Sequence, residues 1–190
     1  GDEESAGRPT AMSRAALVKA ATGARAAIGF EDGDGDPAHA VVARRGATNW
    51  RLDVTGASAH SSQIFRDDVG SGAIFEAARI LTAFRETLAG EPHLTFNPGV
   101  ILGGTAVEVD AVQGRGTASG KTNVIAGRAT VTGDIRALTR EQFTKAEAAM
   151  QQIVRQSLPH TSAGITFDEG YPPLAPTVGN ERLLVAYDRA

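Results

Sequence analysis

A chain of 190 residues with 42% hydrophobic and 22% charged residues has ordinary globular composition, which excludes wholesale disorder. Its apolar runs are a few residues long, far short of the roughly 18 a membrane-spanning helix requires. A net charge of -3 over mixed signs, without a block of Lys and Arg, argues against nucleic acid as a partner. With no cysteine, disulfides and thiolate metal sites are excluded.

In chain order, Gly1-Asp2-Glu3-Glu4 is neither a start Met nor a signal peptide, so an upstream segment is expected. Ser13 to Gly23 predicts a short helix, with Ser13 able to cap it and Gly23 able to stop it. Ala27 to Phe30 suits a short strand that delivers Glu31 at its end, before an acidic, turn-rich loop over 31–37. Asn49 to Val54 alternates polar and apolar residues at the period of a half-buried strand. A helix follows, with Asp68 as cap and Gly90 as stop; Ile74, Ala78, Leu81 and Leu88 form its apolar stripe and Phe84 lies at the margin. Leu94–Phe96 and Val100–Leu102 read as one strand interrupted at Asn97-Pro98-Gly99, and the proline favours an edge or a bend there. The Gly-, Thr- and Ser-rich stretch from Gly103 to Lys121 reads as an excursion with an outlying strand at Val107–Val112. Arg128 to Arg136 alternates again, with Ala129, Val131 and Ile135 on one side. Thr139 and Gln142 make a capping box before a helix that presents Phe143, Ala146, Met150 and Ile153. A last strand runs from Ala163 to Glu169.

The central order is therefore strand, helix, strand, strand, helix, strand. Two amphipathic helices need a sheet face to bury against, which predicts an α+β, ferredoxin-like β-α-β-β-α-β unit: a four-stranded antiparallel sheet with both helices on one face. That unit spans 47–169. Residues 1–46 and 170–190 do not fit into it and read as incomplete pieces of another, α/β domain.

Adjacent carboxylates at Glu3 and Glu4 can divide labour, one ligating a metal and the other acting as general base on metal-bound water. Alone, such a pair reads as solvated surface. Its company is more specific: Gly-Asp-Glu-Glu, then Gly29-Phe30-Glu31, Gly56-Ala57-Ser58-Ala59-His60-Ser61-Ser62, Thr122-Asn123-Val124-Ile125-Ala126 and Gly133-Asp134-Ile135-Arg136, in that order. In these segments the chain resembles the zinc-dependent metallopeptidase superfamily of glutamate carboxypeptidase, aminoacylase and succinyl-diaminopimelate desuccinylase. The resemblance implies a fragment containing the lid, or dimerisation, domain between strips of the catalytic domain. It implies Glu3 as general base, Glu4 and Glu31 as ligands of two zinc ions, and His60 as the lid histidine that crosses a homodimer to polarise the scissile carbonyl. Arg136 would grip a substrate carboxylate, with Asn123 near the substrate; the substrate would be a peptide or N-acyl amino acid.

Three departures accompany the resemblance. Gly72 stands where relatives often carry an Asn that holds the substrate carboxylate, Ala126 replaces a Pro, and the 103–121 stretch is longer than in compact relatives. The other metal ligands of the family would lie outside this chain, so the fragment is expected to be inactive and without tightly bound zinc. Read without the resemblance, His60 is a loop surface residue and Arg136 pairs with Asp134. A stand-alone ferredoxin-like module for self-association or small-metabolite binding is then the alternative.

Overall fold

The computed structural model describes residues 10–29, 35, 36, 38–110 and 113–189. Two short helices, α1 (Thr10–Ser13) and α2 (Ala15–Ala21), come first. They are followed by β1 (Gly46–Gly56), a 3₁₀ turn (Ser61–Gln63), α3 (Gly72–Leu88), β2 (Thr95–Gly104), β3 (Ala106–Asp110) and β4 (Arg115–Ser119). Then come β5 (Arg128–Ala137), α4 (Arg140–Val154), β6 (Thr161–Phe167) and α5 (Val178–Asp188). β2, β5, β1 and β6 lie in that order in one four-stranded sheet, and every neighbouring pair is antiparallel. The 103–121 excursion is a separate two-stranded hairpin of β3 and β4.

Alternation along the strands decides which face is buried. Trp50, Leu52 and Val54 of β1 and Ala129, Val131 and Ile135 of β5 point to α3 and α4, while Asn49, Arg51, Thr130 and Thr132 take the opposite face. The helices answer with Ile80, Phe84 and Leu88 from α3 and Ala146, Met150 and Val154 from α4. Each larger side chain removed from water contributes about 1.5–3 kcal/mol, so this one-sided layer is the main source of stability. The edge of Trp50 meets Phe84 at 6.0 Å between ring centroids and 89° between planes. Trp50 also lies over Gly133, its partner on β5, and its Nε1 donates to Asp134 O at 3.0 Å. A Cβ at Gly133 would run into this indole and into Asn97 O. Along β2, the register shifts between Pro98 and Val100, as expected of a proline-bearing edge strand.

Four expectations need correction. α3 buries Ala73, Glu76, Ala77, Ile80, Phe84 and Leu88, not the stripe through Ile74 and Ala78; Ile74 is 49% exposed. The face is turned by about one residue, roughly 100°, because a carboxylate lies on it. Glu76 accepts from Arg79 Nε at 2.9 Å, from the Arg79 terminal nitrogen at 2.7 Å and from Leu158 N at 3.1 Å, so its charge is compensated in the interior. Asp68 does not cap α3: it pairs with Arg66 at 2.9 Å, and the N-cap position belongs to Ser71. Residues 27–29 are not a strand, since none of the described residues pairs with them, and 30–34 lie outside the described residues. At α4 the Thr139 hydroxyl accepts from Gln142 N at 3.1 Å, but the Gln142 amide reaches one residue further back, to Leu138 N at 2.9 Å.

The two flanks meet. Arg44 pairs with Leu174 and Ala47 with Tyr171 through the backbone, and Asn180 Nδ2 donates to Val42 O at 2.8 Å. The chain thus enters β1 beside the segment that leaves β6, so both connections to the flanks use one corner of the sheet.

Candidate functional site

Beyond β1, residues 56–61 run alongside 123–127 as an irregular two-stranded ribbon. Gly56 N donates to Gly127 O at 3.0 Å, Ile125 N to Ala59 O at 2.9 Å and Ser61 N to Asn123 O at 2.9 Å, and His60 and Val124 face each other as a bridge pair. α3 is tied to the same ribbon, since Ala73 N donates to Ala126 O at 2.9 Å. The approach is close enough to explain Gly72: its φ is +77°, and a Cβ there would lie 2.5 Å from Ile125 Cγ2. An Asn at this position would meet both obstacles.

The ribbon brings His60 and Asn123 together, both exposed, at the Gly56 end of the sheet. His60 caps the 3₁₀ turn; its Nδ1 accepts from Ser62 N at 3.2 Å and lies 2.8 Å from Ser62 Oγ. Arg136 is elsewhere. It sits eight residues beyond Arg128 on β5, roughly 26 Å along the strand at ~3.3 Å per residue, and pairs with Ala47 and Thr95 in the register. Its Nε donates to Asp134 Oδ2 at 2.9 Å, the surface ion pair that the spacing alone suggests.

The helix-free face of the sheet carries a shallow depression of about 400 Å³ beside the β3–β4 hairpin, with Asn49, Arg51, Thr132, Asp134 and Arg115 in its lining. Its cations have anionic neighbours. Arg51 forms a fork on Asp53 at 2.6 and 2.8 Å, and Arg115 lies 3.9 Å from Asp110. The Arg51 hydrogen bonds, with another from Thr130 Oγ1 at 2.8 Å, hold the Asp53 carboxyl below the usual carboxylate range despite partial burial.

Glu3, Glu4 and Glu31 lie outside the described residues. Among the described residues no three His, Cys, Asp or Glu side chains converge in a way that could hold a metal ion, so this part of the chain does not by itself fit a metal centre. Ser62 was not singled out from sequence. The available signal was its spacing, two residues after a histidine that opens a turn.

A family model described as the peptidase dimerisation domain matches residues 42–162, which includes everything from β1 through α4. The chain belongs to that family. With it comes the metallopeptidase superfamily, whose members are generally metal-dependent. Among solved structures, this dimerisation domain is similar to aminopeptidase PepT from Bacillus cereus, with 19% identity, a TM-score of 0.54, and coverage of 82% of this chain and 37% of that one. It is also similar to a hydantoinase/carbamoylase family amidase from Burkholderia ambifaria, at 20% identity and a TM-score of 0.54 over 78% of this chain and 34% of the other. A third is an aminobenzoyl-glutamate utilization protein from Klebsiella pneumoniae, at 15% identity and a TM-score of 0.53 over 77% and 34%. At such identities the likeness is one of fold, and the chain spans about a third of the length of these structures. No curated protein matches it.

Proposed function

We propose that residues 47–169 are the ferredoxin-like lid of a di-zinc amide or peptide hydrolase, with 1–46 and 170–190 as strips of its catalytic domain, and that the isolated chain does not catalyse. The observation that carries this reading is the exposed His60 beside Asn123, presented on a hydrogen-bonded ribbon at one end of the sheet. A histidine so displayed suits polarisation of a carbonyl and stabilisation of the oxyanion that develops on it. Arg136, at the far end of β5, is too distant to act on the same bond, which suits a two-fold dimer in which one protomer's His60 serves the other's substrate. A planar guanidinium such as Arg136 suits a substrate carboxylate once Asp134 yields it. The general base Glu3 and the zinc ligands Glu4 and Glu31 belong to the proposal through the sequence resemblance.

Self-association has a surface to use. Among the described residues β2 bonds to β5 on one side only, and beside its other edge Val100 and Ile101 are exposed. Ile74 reaches over Gly103 of the same strand, and Phe75, in contact with Phe65 at 5.6 Å, continues the apolar strip along α3. Pairing of two such edges about a two-fold axis would hide both the unpaired backbone and the strip. Sedimentation should give a dimer, and Ile101→Lys should shift it to monomer; a wild-type chain that stays monomeric at high micromolar concentration opposes the homodimer.

The activity test uses the full-length enzyme on a panel of N-acyl amino acids and dipeptides, with and without chelator. Chelator-sensitive hydrolysis that His60→Ala reduces by two or more orders of magnitude in kcat, with no activity from the isolated chain, is the expected outcome. An inert full-length protein supplied with zinc would sink the catalytic reading and favour the small-metabolite or self-association module.

A further inference from the structure

We infer that Ser62 is a positioning residue that fixes the tautomer of His60, so that Nε2 carries a proton and faces outward as a hydrogen-bond donor. This deepens the reading of His60 given above and rests on it for its catalytic meaning, though not for its chemistry.

The backbone N–H of Ser62 can only donate, and it points at His60 Nδ1 at 3.2 Å. A neutral ring that accepts there must keep its lone pair on Nδ1 and its proton on Nε2. Ser62 Oγ, 2.8 Å from the same nitrogen, can play either part. Against a neutral ring the hydroxyl donates to Nδ1. If the ring takes up a proton, Nδ1–H donates to Oγ, and only the backbone N–H gives up its acceptor. Nε2–H is present in both cases.

That constancy matters at a site proposed to meet a developing oxyanion. The other neutral tautomer would present an Nε2 lone pair, which repels an oxyanion and is free to ligate a metal; Nε2–H stabilises the first and cannot do the second. The ring is also held in place, since His60 is the N-cap of the 3₁₀ turn, a position usually taken by a short oxygen-bearing side chain, and its neighbour Ser61 is anchored to Asn123 O. Three consecutive residues thus set the ring's place, tautomer and outward polarity.

Long-range ¹⁵N imidazole spectra of the 190-residue chain test this directly. The expected result is a His60 whose Nδ1 resonates as an unprotonated nitrogen and whose Nε2 is protonated throughout the neutral-ring range. Ser62→Ala should shift His60 toward a mixture that includes the Nδ1–H form, and Ser62→Thr should restore the wild-type spectrum; unchanged backbone amide signals away from residues 58–64 exclude general unfolding. In the full-length enzyme Ser62→Ala should lower kcat several-fold with KM little changed, and Ser62→Thr should recover most of it. A wild-type Nδ1–H tautomer overturns the inference, and a Ser62→Ala spectrum identical to wild type overturns the part given to the side chain, since that variant keeps the backbone N–H. If the spectra behave as expected but His60→Ala leaves kcat unchanged, the tautomer assignment stands and the catalytic reading of His60 falls.

Discussion

Removing the Glu76 carboxylate should be among the most costly single changes in the sheet-and-helix unit. Glu76 is fully buried on the inner face of α3, and its two oxygens take both the Arg79 fork and the Leu158 N–H. Arg79 in turn donates to Ile153 O and Gln156 O, so the pair joins α3 to the end of α4 and to the turn before β6. Breaking a buried pair by deleting one partner costs about 3–5 kcal/mol. The Arg79 side chain is 27% exposed, so water can partly solvate it once it is released, and the lower end, about 3 kcal/mol including the orphaned Leu158 N–H, is expected for Glu76→Ala. For a chain of this size that corresponds to a fall in Tm of roughly 6–12 °C. Urea titrations of wild type and variant should show a lower midpoint with an unchanged m-value. The double replacement Glu76→Leu with Arg79→Leu should recover most of the loss, because neither charge is then left unpaired. A Glu76→Ala loss below about 1 kcal/mol, the range of exposed ion pairs, would refute the reasoning.

Two carboxylates should respond to pH with opposite signs. Asp53 has its pKa lowered by its hydrogen bond to Arg51, so it stabilises the fold above its unfolded pKa near 4 and loses that contribution as pH falls through the lower folded value. Asp53→Asn should therefore melt slightly below wild type at pH 7, with the gap closing as pH falls through the lowered folded pKa. Glu147 is raised by burial without a compensating partner, so its ionised form is a burden on the folded state above the folded pKa, and the burden lifts as pH falls. Glu147→Gln should raise Tm at pH 7 and make little difference below about pH 3; a lower Tm at pH 7 would contradict the assignment. Gly133→Ala should destabilise by about 1–3 kcal/mol, because the new methyl meets the Trp50 ring and Asn97 O, and it should also perturb the near-ultraviolet signal of Trp50; an unchanged melting curve would mean that the strands can move apart.

Several features followed from local residues. Alternation in Asn49–Val54 and Arg128–Ile135 identified two strands and their buried faces, because a half-buried sheet imposes a period of two on its own residues. Pro98 marked an edge or a bend, since a residue without N–H cannot sit in a central ladder. Thr139 marked the start of α4 through a bond to a donor three residues away. The ordered segments around His60, Asn123 and Arg136 carried the family. What local reading could not supply depends on groups brought together from distant parts of the chain. The stripe read through Ile74 and Ala78 left Glu76 out, and only its meeting with Arg79 and the Leu158 N–H turns it into a core residue on the buried face of α3. Gly72 looked like a lost substrate contact until the 123–127 ribbon was placed against it. His60 and Asn123 become neighbours, and Arg136 is held a strand's length away, because the ribbon and β5 leave the same end of the sheet in opposite directions; that is a matter of antiparallel pairing, to which no single segment refers.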